Sequence, residues 1–435
     1  MQFKWKLLHS IWENPMANIG KPVTAVVAGA GARGTTYASF ALENPDRFQI
    51  VGVADHKEWN RQHFAEAHKI PPQAVFDDWR KLADQPKMAD MVIIATQDAM
   101  HAEPAIAFAK KGYAILLEKP MAPNLADCER IYQAVKQAGV LFGVCHVMRY
   151  TGYTKALKKL LDEGAVGEIV SIQHLEPVGY WHQAHSFVRG NWRNTAESSC
   201  MLLAKSCHDL DWIRHIAGVK CLSVSSFGSL FHFKKSQKPA AAGAALRCTE
   251  CAFEPECAYS AKKIYFSRLA KGETGWPVDV LTPIPTLESV TEALENGPYG
   301  RCVYECDNDV VDHQVVNLEF EGGRTAVFTM TAFNAGADRK TRIFGTQGEI
   351  YGDGQKIEVF NFLTHQKRVV DTEAGDETTL GGHGGGDFGL IEAFVAAVAA
   401  NDPSLILTGA DESIETHRMV FSSEQARREH RVVDL

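Results

Sequence analysis

Long hydrophobic runs are missing. The longest apolar stretches, such as the one ending at Ala400, fall far short of the ~20 residues that cross a bilayer, so a membrane-spanning helix is not expected. Charge of one sign is scarce too: 45 Lys and Arg against 53 Asp and Glu give a net charge of -8. No long basic run tracks a phosphate backbone, which argues against a nucleic-acid partner. Cysteine is thin, with ten in 435 residues, well below the density of a disulfide scaffold. With 45% hydrophobic and 23% charged residues, disorder and coiled coil are excluded and a globular protein remains. The length exceeds what one core serves, so two domains are expected. No internal repeat is visible. Residues 1–20 read as a short extension whose broken apolar stretch lacks a small-residue cleavage site, and the expected address is cytoplasmic.

From Val23 onward, short apolar runs alternate with amphipathic segments: VTAVVAG, FQIVGVAD, MADMVIIAT, YAILLEKP and VLFGVCH are separated by helix-like stretches. That rhythm predicts a parallel sheet. In the stretch after Asn124, Leu125, Cys128, Ile131, Tyr132 and Val135 form one apolar stripe, with Asn124 placed to cap and Gly139 to terminate. The first strand runs into Gly29-Ala30-Gly31-Ala32-Arg33-Gly34. In such a loop the first glycine permits the turn, the second admits a pyrophosphate and the third lets helix and strand pack closely. Asp55 follows Gly34 by 21 residues, near the ~20 at which an acid accepts ribose hydroxyls; a carboxylate there repels a 2′-phosphate and favours NAD over NADP. Arg33 is a candidate for the phosphates or adenine.

Beyond this loop the chain resembles the Gfo/Idh/MocA oxidoreductases. The resemblance is carried by GAGARG, Asp55, Thr96, His101, Glu118-Lys119-Pro120, Arg149-Tyr150, the GAVGEIVSIQ run, Cys207-His208-Asp209-Leu210-Asp211 and His383-Gly384-Gly385-Gly386-Asp387. It implies an α/β protein: an N-terminal Rossmann parallel sheet, then a C-terminal α/β domain built on a large, mainly antiparallel sheet. The expected boundaries are 21–148 for the NAD-binding domain and 149–435 for the substrate-binding and oligomerisation domain. The resemblance also implies that Gly29, Gly31, Arg33, Gly34, Asp55, Thr96, His101, Glu118 and Lys119 serve the cofactor, and that the protein is a homodimer or homotetramer. Lys119 has a chemical rationale of its own. A secondary alcohol yields hydride only if its hydroxyl proton also leaves, and a lysine accepts it near neutrality only when its pKa falls well below ~10.4.

Many relatives carry an aspartate four residues before the histidine that corresponds to His208; here that position is Ala204, followed by Lys205. Helical spacing puts Lys205 and His208 on one side, with His208 as acid/base or hydroxyl ligand and Lys205 as sugar ligand or second base. Aromatic and basic residues interleave from Gly179 to Asn194, as a pyranose pocket requires. Tyr150, Trp181, Arg189, Trp192, Arg193 and His383 are the substrate-binding candidates; the arginines equally suit securing a loop or a subunit interface.

The segment from about 236 to 310 reads as an insertion, with TGWPVDVLTPIP inside it as irregular chain, and it contains Cys248-x2-Cys251-x5-Cys257 with Cys302 or Cys306 as a fourth thiol. Four soft ligands suit a structural zinc; reduced loop cysteines are the alternative. The leading expectation is an NAD-dependent oxidoreductase acting on a secondary hydroxyl of a sugar, cyclitol or glycoside. A second is an NAD-dependent glycosidase that oxidises C3 transiently, eliminates at C1 and adds water, on an anionic glycoside among others. A third is a non-catalytic NAD-binding sensor.

Overall fold

The computed structural model describes residues 21–336, 338–372 and 384–435. The N-terminal extension and His383 lie outside the described residues. By contacts the chain forms two units, one from residues 1–157 with 372–417 and the other from 158–371 with 418–435.

The first unit holds six parallel strands: β1 Val23–Ala28, β2 Phe48–Ala54, β3 Val75–Phe76, β4 Met91–Ile94, β5 Ala114–Leu117 and β6 Phe142–Val144, ordered β3-β2-β1-β4-β5-β6. Their continuous Val, Ile and Leu runs are buried along the full length of β4 and β5, as a parallel sheet covered on both faces demands. The helix Leu125–Ala138 matches its sequence logic: the Asn124 side chain accepts from Asp127 N at 2.9 Å, and Gly139 ends it at φ 65°. The core of this unit also contains Leu390, Ile391 and Phe394 from the helix Gly386–Ala400, packed with Val27, Tyr37 and Phe40. The chain therefore returns to the nucleotide fold near its end, which a single boundary at 149 does not anticipate. The reason is legible in that helix, which is apolar nearly all round and must be buried.

The second unit is built on β7 Ile169–Pro177, β8 Cys221–Ser229, β9 His313–Phe320, β10 Arg324–Thr331, β11 Lys340–Gly345, β12 Gly348–Gly352, β13 Lys356–Asn361, β14 Lys367–Asp371 and β15 Val433–Asp434. They form one nine-stranded sheet, β14-β13-β12-β11-β7-β10-β9-β8-β15, antiparallel except where β10 pairs with β7. The Glu-Gly-Gly turn joins β9 and β10 through Gly322 at φ 76°. The fold class expected from the sequence is the one observed.

Within the insertion the TGWPVDVLTPIP stretch carries no helix or strand, as expected, and regular helices flank it. These are Ala261–Leu269 and Leu287–Asn296, the latter opened by a Thr286/Ser289 capping box. A core of its own gathers Phe233, Cys248, Ile264, Tyr265, Val290 and Leu294 with Ala184 and Val188, and each large apolar side chain so buried contributes about 1.5–3 kcal/mol. Among the described residues no helix is long and apolar enough to cross a membrane.

Candidate active site

In the first unit, β1 delivers the chain to the glycine loop and the helix Ala32–Glu43 leaves from it, with Gly31 at the N-cap and no side-chain cap. The three glycines divide the labour as expected. Gly29 sits at φ 99°, where an added Cβ would lie 2.4 Å from Ala95 O; at Gly34 it would meet Gly29 O at 2.0 Å. At Gly31 it would meet nothing within 4 Å. The first and third glycines close the turn, and the second faces the open space a pyrophosphate needs, above a helix N-terminus that favours an anion. Asp55 Oδ2 accepts from Ala30 N at 2.8 Å and Oδ1 from Lys57 N at 2.8 Å. The carboxylate is thereby fixed against the loop where ribose hydroxyls would reach it, so this residue set fits a dinucleotide.

Lys119 follows the end of β5 and is partly exposed, while Glu118 beside it is buried. Arg33 is engaged by two carboxylates: its Nε lies 2.6 Å from Glu118 Oε1 and its Nη1 3.3 Å from Asp387 Oδ2. Tyr37, a residue the sequence reading passed over, donates its hydroxyl to Glu118 Oε1 at 2.9 Å. Burial alone would raise the Glu118 pKa, but the Arg33 guanidinium and the Lys119 ammonium hold it below the ordinary carboxylate range. His101 is fully buried, with Nδ1 2.8 Å from Pro120 O and Nε2 3.1 Å from Thr96 O. It staples the segment after β4 to the segment carrying Lys119. Thr96 donates its hydroxyl to Met100 O at 3.3 Å.

In the second unit, His208 lies in the first turn of the helix Cys207–Ala217 and is 5% exposed. Lys205 is not on that helix. It caps the short helix Met201–Ala204, and Ser206 starts the next one, so the expectation of one helical face for Lys205 and His208 fails at this break. Lys205 Nζ instead lies 3.2 Å from Glu176 Oε1. Glu176 Oε2 is 2.9 Å from Arg339 Nη2, and Arg339 Nε reaches Asp209 Oδ1 at 2.5 Å. His174 ends the chain of contacts, with Nε2 3.1 Å from Asp209 Oδ1 and Nδ1 2.7 Å from Thr341 Oγ1. Burial would raise the Asp209 pKa, yet Arg339 and His174 hold it well below the carboxylate range. Asp209 belongs to the Cys207–Asp211 motif, whereas Glu176, His174 and Arg339 had no local signal: β7, β11 and a helix bring them together.

Three of the substrate candidates make contacts within the protein. Tyr150 is 2% exposed, its hydroxyl accepting from Leu407 N at 2.8 Å. Arg189 is 1% exposed and donates to Arg301 O and Tyr259 O at 2.7 and 2.8 Å. Arg193 pairs with Asp307 and Glu197, the loop-securing alternative. Trp181 and Trp192 retain exposed surface.

Cys248, Cys251, Cys257 and Cys302 border one small cavity together with Arg189, but the zinc expectation is not supported. Among the described residues no group of three or more His, Cys, Asp or Glu is arranged to hold a metal ion. Cys248 Sγ accepts from Arg189 Nη2 at 3.5 Å and Ala261 N at 3.4 Å, so a guanidinium stands where it would repel a second cation. Burial pushes the Cys257 and Cys302 thiols up, disfavouring the thiolates that zinc requires.

A parallel sheet with a glycine-loop cradle, followed by a large open sheet, defines a two-domain nucleotide-dependent oxidoreductase fold. Family models agree: residues 23–146 match the oxidoreductase family NAD-binding Rossmann fold and residues 158–435 its C-terminal alpha/beta domain. The chain belongs to the Gfo/Idh/MocA oxidoreductase family. It is 35% identical over 132 residues to 2,7-anhydro-N-acetylneuraminate hydratase of Escherichia coli K12, covering 30% of this chain and 34% of the relative. The enzyme of the same name from Mediterraneibacter gnavus is 27% identical over 46% of this chain and 50% of its own length. These matches thus span between a third and a half of the relatives. In fold, the chain is similar to levoglucosan dehydrogenase in complex with NADH and L-sorbose, with TM-score 0.69 and 18% identity over 95% of this chain and 99% of that one.

Proposed function

We propose that this protein is an NAD-dependent oxidoreductase acting on a secondary hydroxyl of a sugar, cyclitol or glycoside. The observation that carries the reading is Lys119 at the end of β5, in the same unit as the glycine loop, beside a Glu118 carboxylate already engaged by Arg33 and Tyr37. When bound, the nicotinamide supplies the hydride acceptor. Lys119 takes the hydroxyl proton, and Glu118, tied down by Arg33, keeps the adjoining backbone in place through Lys119 N donating to its Oε2 at 2.6 Å. His208 orients a substrate hydroxyl or exchanges its proton. Lys205, engaged with Glu176, serves as a hydrogen-bond donor to the sugar. Asp55 selects NAD over NADP. Trp181 and Trp192 offer stacking faces, and His383 stays a candidate ligand.

The names of the two hydratase relatives favour a second reading, the redox-neutral glycosidase. One experiment addresses both. A sugar panel is assayed for NADH by absorbance, and aryl glycosides are assayed for aglycone release with trace NAD. Net NADH supports the dehydrogenase; aglycone without lasting NADH supports the glycosidase. Lys119→Ala is expected to lower either turnover by roughly 10²–10⁴-fold while NAD affinity stays within about twofold; full turnover in that variant refutes the mechanism. A substrate-free protein that only binds NAD would revive the sensor. A homodimer or homotetramer would bury the outer face of the nine-stranded sheet, where Phe227, Tyr351 and Val369 are exposed, and sedimentation tests it.

A further inference from the structure

The insertion is unexplained by hydride transfer, and its core residues answer only why it folds. Its surface carries a more specific feature. The helix Ala261–Leu269 places the Arg268 guanidinium 4.1 Å from the Trp181 ring centroid, while Arg268 Nη1 donates to Ile264 O at 2.8 Å. Neighbouring arginines are spent otherwise: Arg193 and Arg301 on Asp307, Arg189 and Arg247 on several backbone carbonyls. Among the described residues Arg268 has no carboxylate partner, and its Nε and Nη2 remain uncommitted.

Trp276, also from the insertion, packs against the same Trp181. Its ring is 5.4 Å from Trp181 and 4.9 Å from His182, yet Trp276 is 49% exposed. An indole left open to water and an uncommitted guanidinium, both packed against Trp181, supply the two elements that hold an acidic sugar: a flat face for pyranose C–H groups and a fork for a carboxylate. The local field has the matching sign. His185, 5.5 Å from Trp276, is pushed down to about 3 by burial and then by Arg189 and Arg268. The groups facing that imidazole are Arg189, Arg268, Tyr265 and Tyr299; none is an acid. Trp181 follows Glu176, the residue that holds Lys205, by five positions along the chain.

We propose that the insertion builds a carboxylate-binding subsite, with Arg268 taking the carboxylate and Trp276 the ring face, so that the substrate is a sugar acid or its glycoside. This rests on the proposed sugar substrate and narrows it to the anionic class.

The test uses the full-length protein loaded with NADH and calorimetric titration with methyl glycosides of glucuronate, galacturonate and N-acetylneuraminate, each against methyl glucoside or galactoside. At least one acid is expected to bind tenfold or more tightly than the neutral sugars. Arg268→Gln should abolish that preference while changing neutral-sugar affinity less than twofold, Arg268→Lys should restore part of it, and Trp276→Ala should weaken acid and neutral sugars alike. No measurable acid binding, equal affinity for acid and neutral sugars, or an acid preference untouched by Arg268→Gln overturns the subsite. The parent reading fails separately: Arg268-dependent acid binding without turnover of any sugar removes the enzyme and keeps the subsite. Turnover of neutral sugars without acid preference does the reverse.

Discussion

Two charged assemblies lie in the two units, and they are built in opposite ways. In the nucleotide unit, Arg33 sits inside the glycine loop and reaches Glu118 at a strand end; both residues belong to motifs with fixed local spacing. In the second unit, Lys205, Glu176, Arg339, Asp209 and His174 come from separate stretches, joined because Lys340 opposes Leu175 and Thr341 opposes His174 across β11 and β7. The first joins two recognisable motifs 85 positions apart and the second is built by strand register, so the two should break differently.

The largest expected effect belongs to the motif-built assembly. Gly34→Ala drives a Cβ to 2.0 Å from Gly29 O, a backbone clash that should cost on the order of 4 kcal/mol in denaturant melts and abolish NAD binding. Gly31→Ala sharpens the contrast, since its Cβ meets no protein atom within 4 Å. Stability should change by less than ~1 kcal/mol while NAD affinity, read by fluorescence titration, falls about tenfold as the methyl occupies the pyrophosphate's path. Equal behaviour of the two variants would undo the division of labour assigned to the glycines.

Next comes the register-built chain. Glu176→Gln leaves Lys205 and Arg339 without their shared carboxylate, a loss of about 3 kcal/mol for a pair broken on one side. The accompanying rise in KM with smaller change in kcat would mark Lys205 as a substrate donor; a wild-type profile would detach this chain from the site.

Near neutrality the smallest effect is a pH slope. His185 is pushed down to about 3 in the folded protein, from an ordinary value of 6.5. The unfolded chain therefore binds the proton first, and stability falls as pH drops from 6.5 toward 3, by at most about 1.4 kcal/mol per pH unit. His185→Phe should flatten that stretch of the melting-against-pH curve; an unchanged slope would contradict the buried neutral imidazole.

The contrast also explains what the amino-acid pattern disclosed. The glycine loop, Asp55 and the capped helix after Asn124 were legible because each is set by spacing within a few turns of chain. Lys205 was misplaced because helical spacing takes no account of the break at Ser206. Glu176 and Arg339 were invisible, being partners only through β7 and β11. In the insertion, the helices Ala261–Leu269 and Leu287–Asn296 went unassigned, although the Thr286/Ser289 capping box was there to be read. Arg189 and Arg193 looked like ligands because composition does not distinguish a guanidinium facing solvent from one tied to backbone carbonyls or Asp307.

The nucleotide unit is discontinuous, and that sets an order of events in the living chain. Its hydrophobic centre needs Leu390 and Phe394, which leave the ribosome long after β6, the last of its own strands. All strands of the nine-stranded sheet except β15 emerge before that helix does, so the fold that starts first is finished late, and a message truncated before codon 384 would yield a nucleotide-binding half with an open, aggregation-prone seam.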